Sequence, residues 1–258
     1  MKTDGGFLTF HYHACAHVLS ARFTRPLQHL VEVQGATALS TNGGHGHAGV
    51  DDFRFQDFIT CRKGYSHVSG SKHEETGSHT TLVTAVAEGL NILDIITADR
   101  VVARLASSHP PENDEPEITL VGSKFENLRI AGCPVDVELD FDFFERLKTF
   151  DAVRKEFDKN AEFRKIAEDP FRTGDAIKKP EAHGVLLCSL VKSMKTSCPG
   201  VKQVGHCFVV PEFGKVFFGE LILKHGLRTL TMIRFELGSP VSGDGTLVQA
   251  MANGNRFP

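Results

Sequence analysis

This sequence predicts a mainly β protein: an antiparallel sandwich or barrel with one long helical insertion. Three observations lead there. Extended runs rich in Val, Ile, Thr and Phe recur along the chain, separated by clusters of Gly, Pro, Asn and Ser. A helical period of apolar residues occurs in one segment only, about residues 143–166. The 258 residues are 41% apolar and 24% charged, which suits a single β-rich domain over residues 1–258, with the helical insertion at about 140–182.

Residues 7–41 read as extended. Phe7 to Phe23 form one long run ending near Pro26, and Leu30, Val31 and Val33 continue it to the polar turn at Ser40–Gly44. Residues 42–49, NGGHGHAG, read as a Gly-rich loop. Phe53, Phe55, Asp57 and Ile59 then alternate with Arg54, Gln56 and Phe58, a strand period. Residues 64–80 are polar and read as a long surface loop or wide hairpin.

In residues 81–106, Gly89 and Asp94 divide an apolar stretch into strands near Leu82–Ala87, Leu90–Thr97 and Val101–Ala106. An acidic Pro-rich loop covers 107–117, and strands are expected at Ile118–Val121, Leu128–Ala131 and Val135–Leu139. The segment Glu88–Ile92 resembles Glu126–Ile130, a hint of a repeated hairpin unit.

The helix rests on Phe143, Leu147, Phe150, Val153, Phe157 and Ala161 at three- and four-residue steps, with Asn160 able to divide it and Pro170 to end it. Strands at Gly184–Val191, Val204–Val210, Val216–Leu223 and Leu227–Leu237 complete the reading, with turns at Pro211–Gly214 and His225–Gly226.

Composition excludes several functions. A net charge of −3 argues against a polyanion binder, so no nucleic-acid partner is expected. No run approaches a spanning apolar helix, so no membrane partner is expected. The start lacks the pattern of a secretory signal, and a cytoplasmic location is expected. Nucleophile-elbow, Walker and dinucleotide motifs are missing. With 20 Phe, 2 Tyr and no Trp, stacking platforms are scarce. None of the 6 Cys has CxxC spacing, and buried free thiols are favoured over disulfides.

The 13 histidines supply the candidate site. On a strand, His11, His13, Cys15 and His17 share one face, while Phe10, Tyr12, Ala14, Ala16 and Val18 take the core face. His45 and His47, with Asp51 and Asp52, could close over an ion held by that strand. The resulting metal set is His11, His13, His17, His45 and His47, and imidazole with carboxylate suits Zn, Fe, Cu, Ni or Mn. His45, His47 and Asp51 superficially resemble the first metal motif of the cupins. The rest of that pattern is absent, and no residue is carried over from it. His73 and His79 belong to a polar loop without zinc-protease spacing.

Two functions follow. One is a β-rich protein that binds a transition metal through histidines and acts on a small molecule. The alternative is a non-catalytic β-sheet binding or self-assembly module, for which a homo-oligomer is an expected form.

Overall fold

The structure is a computed structural model describing residues 9–112, 115–168 and 184–257. The described chain is mainly β. In order it runs β1 (Thr9–Arg25), β2 (His29–Gln34), β3 (Thr37–Ala38), β4 (Gly44–Phe55), β5 (Ile59–Lys72), β6 (His79–Ile92), β7 (Ile96–His109), β8 (Glu117–Thr119), β9 (Lys124–Glu126), β10 (Arg129–Ile130) and β11 (Cys133–Leu139). Three helices follow, α1 (Phe141–Arg146), α2 (Phe150–Lys159) and α3 (Ala161–Glu168). The chain ends with β12 (Val185–Ser189), β13 (Val191–Thr196), β14 (Lys202–Val204), β15 (Cys207–Val210), β16 (Gly214–Lys224), β17 (Leu227–Leu237) and β18 (Ser242–Phe257).

The strands form two antiparallel sheets packed as a sandwich. The first sheet has the order β14-β15-β16-β17-β18-β1-β2, with β12 on β16 and β3 on β1. The second has the order β13-β11-β10-β7-β6-β5-β4, with β8 and β9 on β7. Phe218 of the first sheet meets Phe125 of the second edge-on at 5.7 Å, and Phe23 stacks on Phe55 at 5.1 Å. The alternation read in β1 is present: Phe10, Tyr12, Ala14, Ala16 and Val18 are buried.

Both sheets carry the same irregularity. Inward side chains normally recur every second residue. At one level of the first sheet they step by three, from Ala16 to Leu19, Leu247 to Ala250, Leu230 to Ile233 and Phe218 to Leu221. The second sheet does likewise from Ala87 to Leu90 and Ala98 to Val101. Left-handed backbone accompanies the step: φ is 60° at Gly219 and 54° at Val248, and 49° at Asp52, 60° at Gly89 and 50° at Asn127.

Several expectations are corrected by this. The Gly-rich segment from Gly44 is strand β4, not a loop. Residues 64–72 finish β5, and only 73–78 turn before β6. Gly89 marks the step within β6 and not a strand end, so residues 79–109 make two strands instead of three. The single helix is three short ones. Asn160 does divide it: its N–H donates to the Glu156 carbonyl, and its Oδ1 accepts from Phe163 N. Pro170, Phe7, Leu8 and residues 169–182 of the expected insertion lie outside the described residues.

Strand β18 was not anticipated. It is central, between β17 and β1, and its glycines make room for aromatic rings. A Cβ at Gly245 would lie 2.5 Å from the Phe235 ring, and one at Gly254 would lie 2.3 Å from the Phe10 ring.

The two resembling segments flank β7 in matched register. Glu88 and Glu126 both face Arg100, Asn91 and Arg129 both face Thr97, and Ile92 and Ile130 both face Ile96.

The helices are pinned by buried groups. Phe150, Val153 and Phe157 enter the core, as their spacing implies, whereas Phe144 is buried in place of the expected Phe143 and Ala161 is exposed. The Glu115 carboxylate accepts from the N–H groups of Phe150 and Asp151 at the start of α2, where the helix dipole favours an anion. Buried Arg228 faces the same carboxylate at 3.5 Å and donates to the Lys224 carbonyl at 2.7 Å.

Candidate functional site

The structure separates the expected metal ligands. His11, His13 and His17 stand on the outer face of the first sheet, the first two exposed and the third half-buried. Their neighbours on β18 are amides: His13 faces Asn253 and His17 faces Gln249. His17 Nε2 lies 3.4 Å from Thr246 Oγ1, and burial lowers its pKa. His45 and His47 are exposed on β4, at the edge of the other sheet. Among the described residues no three His, Cys, Asp or Glu side chains gather into a group that could hold a metal. His47 instead faces His67 across β4 and β5, a pairing that only the register reveals.

His79, expected in a solvated loop, opens β6 and is packed between the sheets. The Tyr12 hydroxyl lies 2.8 Å from its Nδ1, and Phe10 stacks on its ring at 4.0 Å. His109, opposite it on β7, meets Phe10 edge-on at 4.9 Å. This cluster joins the two sheets at one end of the sandwich.

A second polar cluster was missed by sequence reasoning. The step at Gly219 turns Glu220 to the outer side of β16, beside Phe217, while Phe218 and Leu221 point inward. Arg234, opposite Phe217 on β17, donates to Glu220 twice, from Nε at 2.6 Å and Nη2 at 2.9 Å. Its guanidinium lies 3.7 Å from the centroid of the Phe217 ring, and it also bonds Glu236. His206 Nε2 lies 3.4 Å from Glu220 Oε1. Glu220 is 6% exposed and His206 1%. Burial pushes the Glu220 carboxyl up, but His206 and Arg234 outweigh it and hold the pKa below the ordinary value. Burial also pushes the adjacent Cys207 thiol up to about 11. Both carboxylate oxygens are engaged by neighbouring side chains. The cluster therefore braces β16, β17 and the turn before β15 as a fixed ion pair.

The most exposed apolar feature lies at the edge of the first sheet. β2 pairs with β1 along one side and ends the strand order. Leu27, Leu30 and Val33 are 44%, 67% and 52% exposed. A groove of about 440 Å³ beside them is lined by Arg22, Phe23, Thr24, Gln28, His29 and Leu30. His29 stacks on Phe55 at 4.5 Å, which fixes the start of β2 against the second sheet. Val31 is buried, so β2 is anchored through His29 and Val31 while Leu30 and Val33 face solvent. The sequence contained this signal in Leu30 and Val33, but their exposure depends on β2 being an edge.

Among the described residues no helix is long and apolar enough to cross a membrane. The chain matches the model of a protein family described as a domain of unknown function, DUF8256, over residues 10–173 and 167–224. No curated protein and no solved structure matches it.

Proposed function

We propose that this chain, which belongs to the DUF8256 family, is a non-catalytic binding module that receives an extended polypeptide segment along β2. One observation carries the reading: Leu30 and Val33 are exposed on an edge strand, and Leu27 is exposed just ahead of it. Unpaired edges are normally blunted by charge, proline or a covering element, because they invite another strand. An added strand gains main-chain hydrogen bonds from the open edge, and its alternate side chains meet the aliphatic row. Arg22, exposed in the groove wall, favours a segment that also carries a carboxylate. The ligand class is thus an extended, aliphatic, acidic peptide.

The test uses a labelled peptide of alternating valine and threonine with two glutamates, followed by fluorescence anisotropy. Binding is expected to the unmodified protein and to His13→Ala. It should weaken at least about tenfold in the double variant Leu30→Lys, Val33→Lys, a loss of about 1.4 kcal/mol. Sedimentation at rising concentration separates the other occupant. If the peptide does not bind but the chain self-associates through the same residues, β2 is an assembly edge. If neither occurs, β2 is not a docking surface.

A further inference from the structure

Six cysteines are free in this structure, and they differ in setting. Cys61, Cys188 and Cys207 are buried, and burial raises all three thiols, Cys188 to about 12. Cys15 stands half-buried on the outer face of β1. Cys133 and Cys198 are also half-buried, and they meet. Cys133 begins β11, and Cys198 lies two residues beyond β13. These strands are antiparallel with Val135 opposite Thr196. Carrying the register two residues further sets Cys133 opposite Cys198.

The side chains follow the backbone. The Cys133 side chain adjoins the Cys198 thiol and raises it. Cys198 Sγ also donates to the Ile130 carbonyl at 3.3 Å, and Ile130 pairs with Cys133 across the β10–β11 hairpin. Thr196 Oγ1 fixes the approach: it donates to the Pro134 carbonyl at 3.0 Å and accepts from Cys198 N at 3.3 Å. Residues opposite one another in an antiparallel pair have Cα atoms about 4.5–5.5 Å apart, within the span of a disulfide at about 4.4–6.8 Å.

We propose that Cys133 and Cys198 are a redox modification site that closes reversibly into a disulfide. The co-reactant is a low-molecular-weight disulfide. One thiol loses its proton, and the thiolate attacks that disulfide, forming a mixed disulfide and releasing one small thiol. The second protein thiolate then attacks the protein sulfur of the mixed disulfide and releases the other small thiol. Two protein thiols are oxidised to one S–S bond, and one small disulfide is reduced to two small thiols. The neighbouring Cys133 side chain, with burial, raises the Cys198 thiol, so closure quickens as pH rises.

The bond would tie together both ends of the segment that contains β11, the three helices, β12 and β13. In the reduced protein those ends are held by the β11–β13 ladder and by noncovalent contacts such as the Thr196 bond to the Pro134 carbonyl. Closure therefore acts as a latch on the helix-bearing segment, independent of the edge at β2.

The experiment incubates the folded, full-length chain with oxidised glutathione, stops exchange with acid, denatures the chain in an excess of alkylating agent so that every remaining thiol, buried ones included, is blocked, and maps peptides without reduction. The expected result is one linked peptide pair containing Cys133 and Cys198, with the other four cysteines alkylated. The oxidised chain should run faster on a non-reducing denaturing gel, and a reductant should restore the original mobility. Cys198→Ser should abolish the fast band and leave glutathione on Cys133, whereas Cys15→Ser should keep the band. Alkylation of both cysteines, separate glutathione adducts on each, or a link to any other cysteine would overturn the proposal. If Cys198→Ser does not fold, the peptide map of the unsubstituted chain decides by itself.

Discussion

The two sheets solve the same geometric problem with different residues. Each sheet has a level at which inward side chains step by three, and each uses left-handed backbone there. In the second sheet the left-handed residues are Asp52, Gly89 and Asn127, types that tolerate this conformation. In the first sheet they are Gly219 and fully buried Val248. Valine is a poor choice for positive φ, because its branched Cβ crowds the backbone. In the second sheet local residue preference and fold agree, whereas in the first packing overrides preference at one position. The outer faces differ as well. The first sheet uses its step to turn Glu220 outward into a buried bidentate pair with Arg234. The second carries a more exposed trio of Arg62, Glu88 and Arg100.

The largest expected effect tests that last contrast. Arg234→Ala leaves the Glu220 carboxylate buried without its main partner, and should cost about 3–5 kcal/mol by chemical denaturation. Arg62→Ala should cost less than about 1 kcal/mol, because its pair with Glu88 is solvent-screened. Equal losses would show that the two outer faces are energetically alike.

The acid limb of stability carries the same signature. The folded pKa of Glu220 is depressed, so its contribution is present above the unfolded carboxyl value of about 4.3 and is lost as pH falls through the folded value. The folded pKa of His17 is also lowered, by burial, so its unfolded form binds protons first. Stability should start to fall below about pH 6.5 and fall again below about 4.3. His17→Gln should remove the first step in a pH series of urea midpoints. Persistence of that step would assign it to another group.

Substitution at the left-handed glycines sharpens the comparison at the next level. Gly89→Ala and Gly219→Ala should each cost about 1–3 kcal/mol, since alanine is strained at positive φ. Gly89 should be the worse site. Its added Cβ would lie 2.9 Å from Arg62 Cβ, against 3.2 Å from Val191 Cγ2 at Gly219. A smaller loss at Gly89 would mean that β5 yields at the step more easily than β13.

Where the sheets join, His79→Ala removes the partner of the Tyr12 hydroxyl and the ring stacked on Phe10, and should cost about 1–3 kcal/mol. His13→Ala, on the exposed outer face, should stay within about 0.5 kcal/mol. Thermal melts of both variants compare the inner and outer histidines directly. A larger loss for His13 would place the structural histidine on the wrong side of β1.

These contrasts show which features the sequence made legible. The alternation from Phe10 to Ala16 was readable because it lies ahead of the step. Past it, the period of two fails, and Gly89 looked like the end of a strand. β18 was hidden because small residues at Gly245 and Gly254 accommodate rings from Phe235 and Phe10, so its burial shows only in neighbouring side chains. The shared face of His11, His13 and His17 was also readable, but convergence on an ion depends on what stands opposite. Register supplied Asn253 and Gln249 there, and put His45 and His47 on the other sheet. Similarly, Leu30 and Val33 looked like ordinary strand residues until β2 proved to be an edge. The Cys133–Cys198 contact depends wholly on how β11 meets β13, which no local pattern encodes.

Val248 gives the smallest expected net effect and the most direct test of packing overriding preference. Holding a branched residue at positive φ costs about 1–3 kcal/mol. Full burial of the valine side chain returns about 1.5–3 kcal/mol. Val248→Gly removes both terms, so its stability should lie within about 1 kcal/mol of the unsubstituted protein. Val83 is the control, because it is equally buried on β6 and lies outside the left-handed positions. There, Val83→Gly loses the buried side chain and, like Val248→Gly, adds about 0.5–1 kcal/mol of glycine entropy, but it relieves no strain. Its loss should exceed that of Val248→Gly by about 1–3 kcal/mol in matched denaturant titrations, the strain that only the latter releases. If both lose the same amount, Val248 bears no strain, and the first sheet reaches its left-handed step as easily as the second does with Gly89.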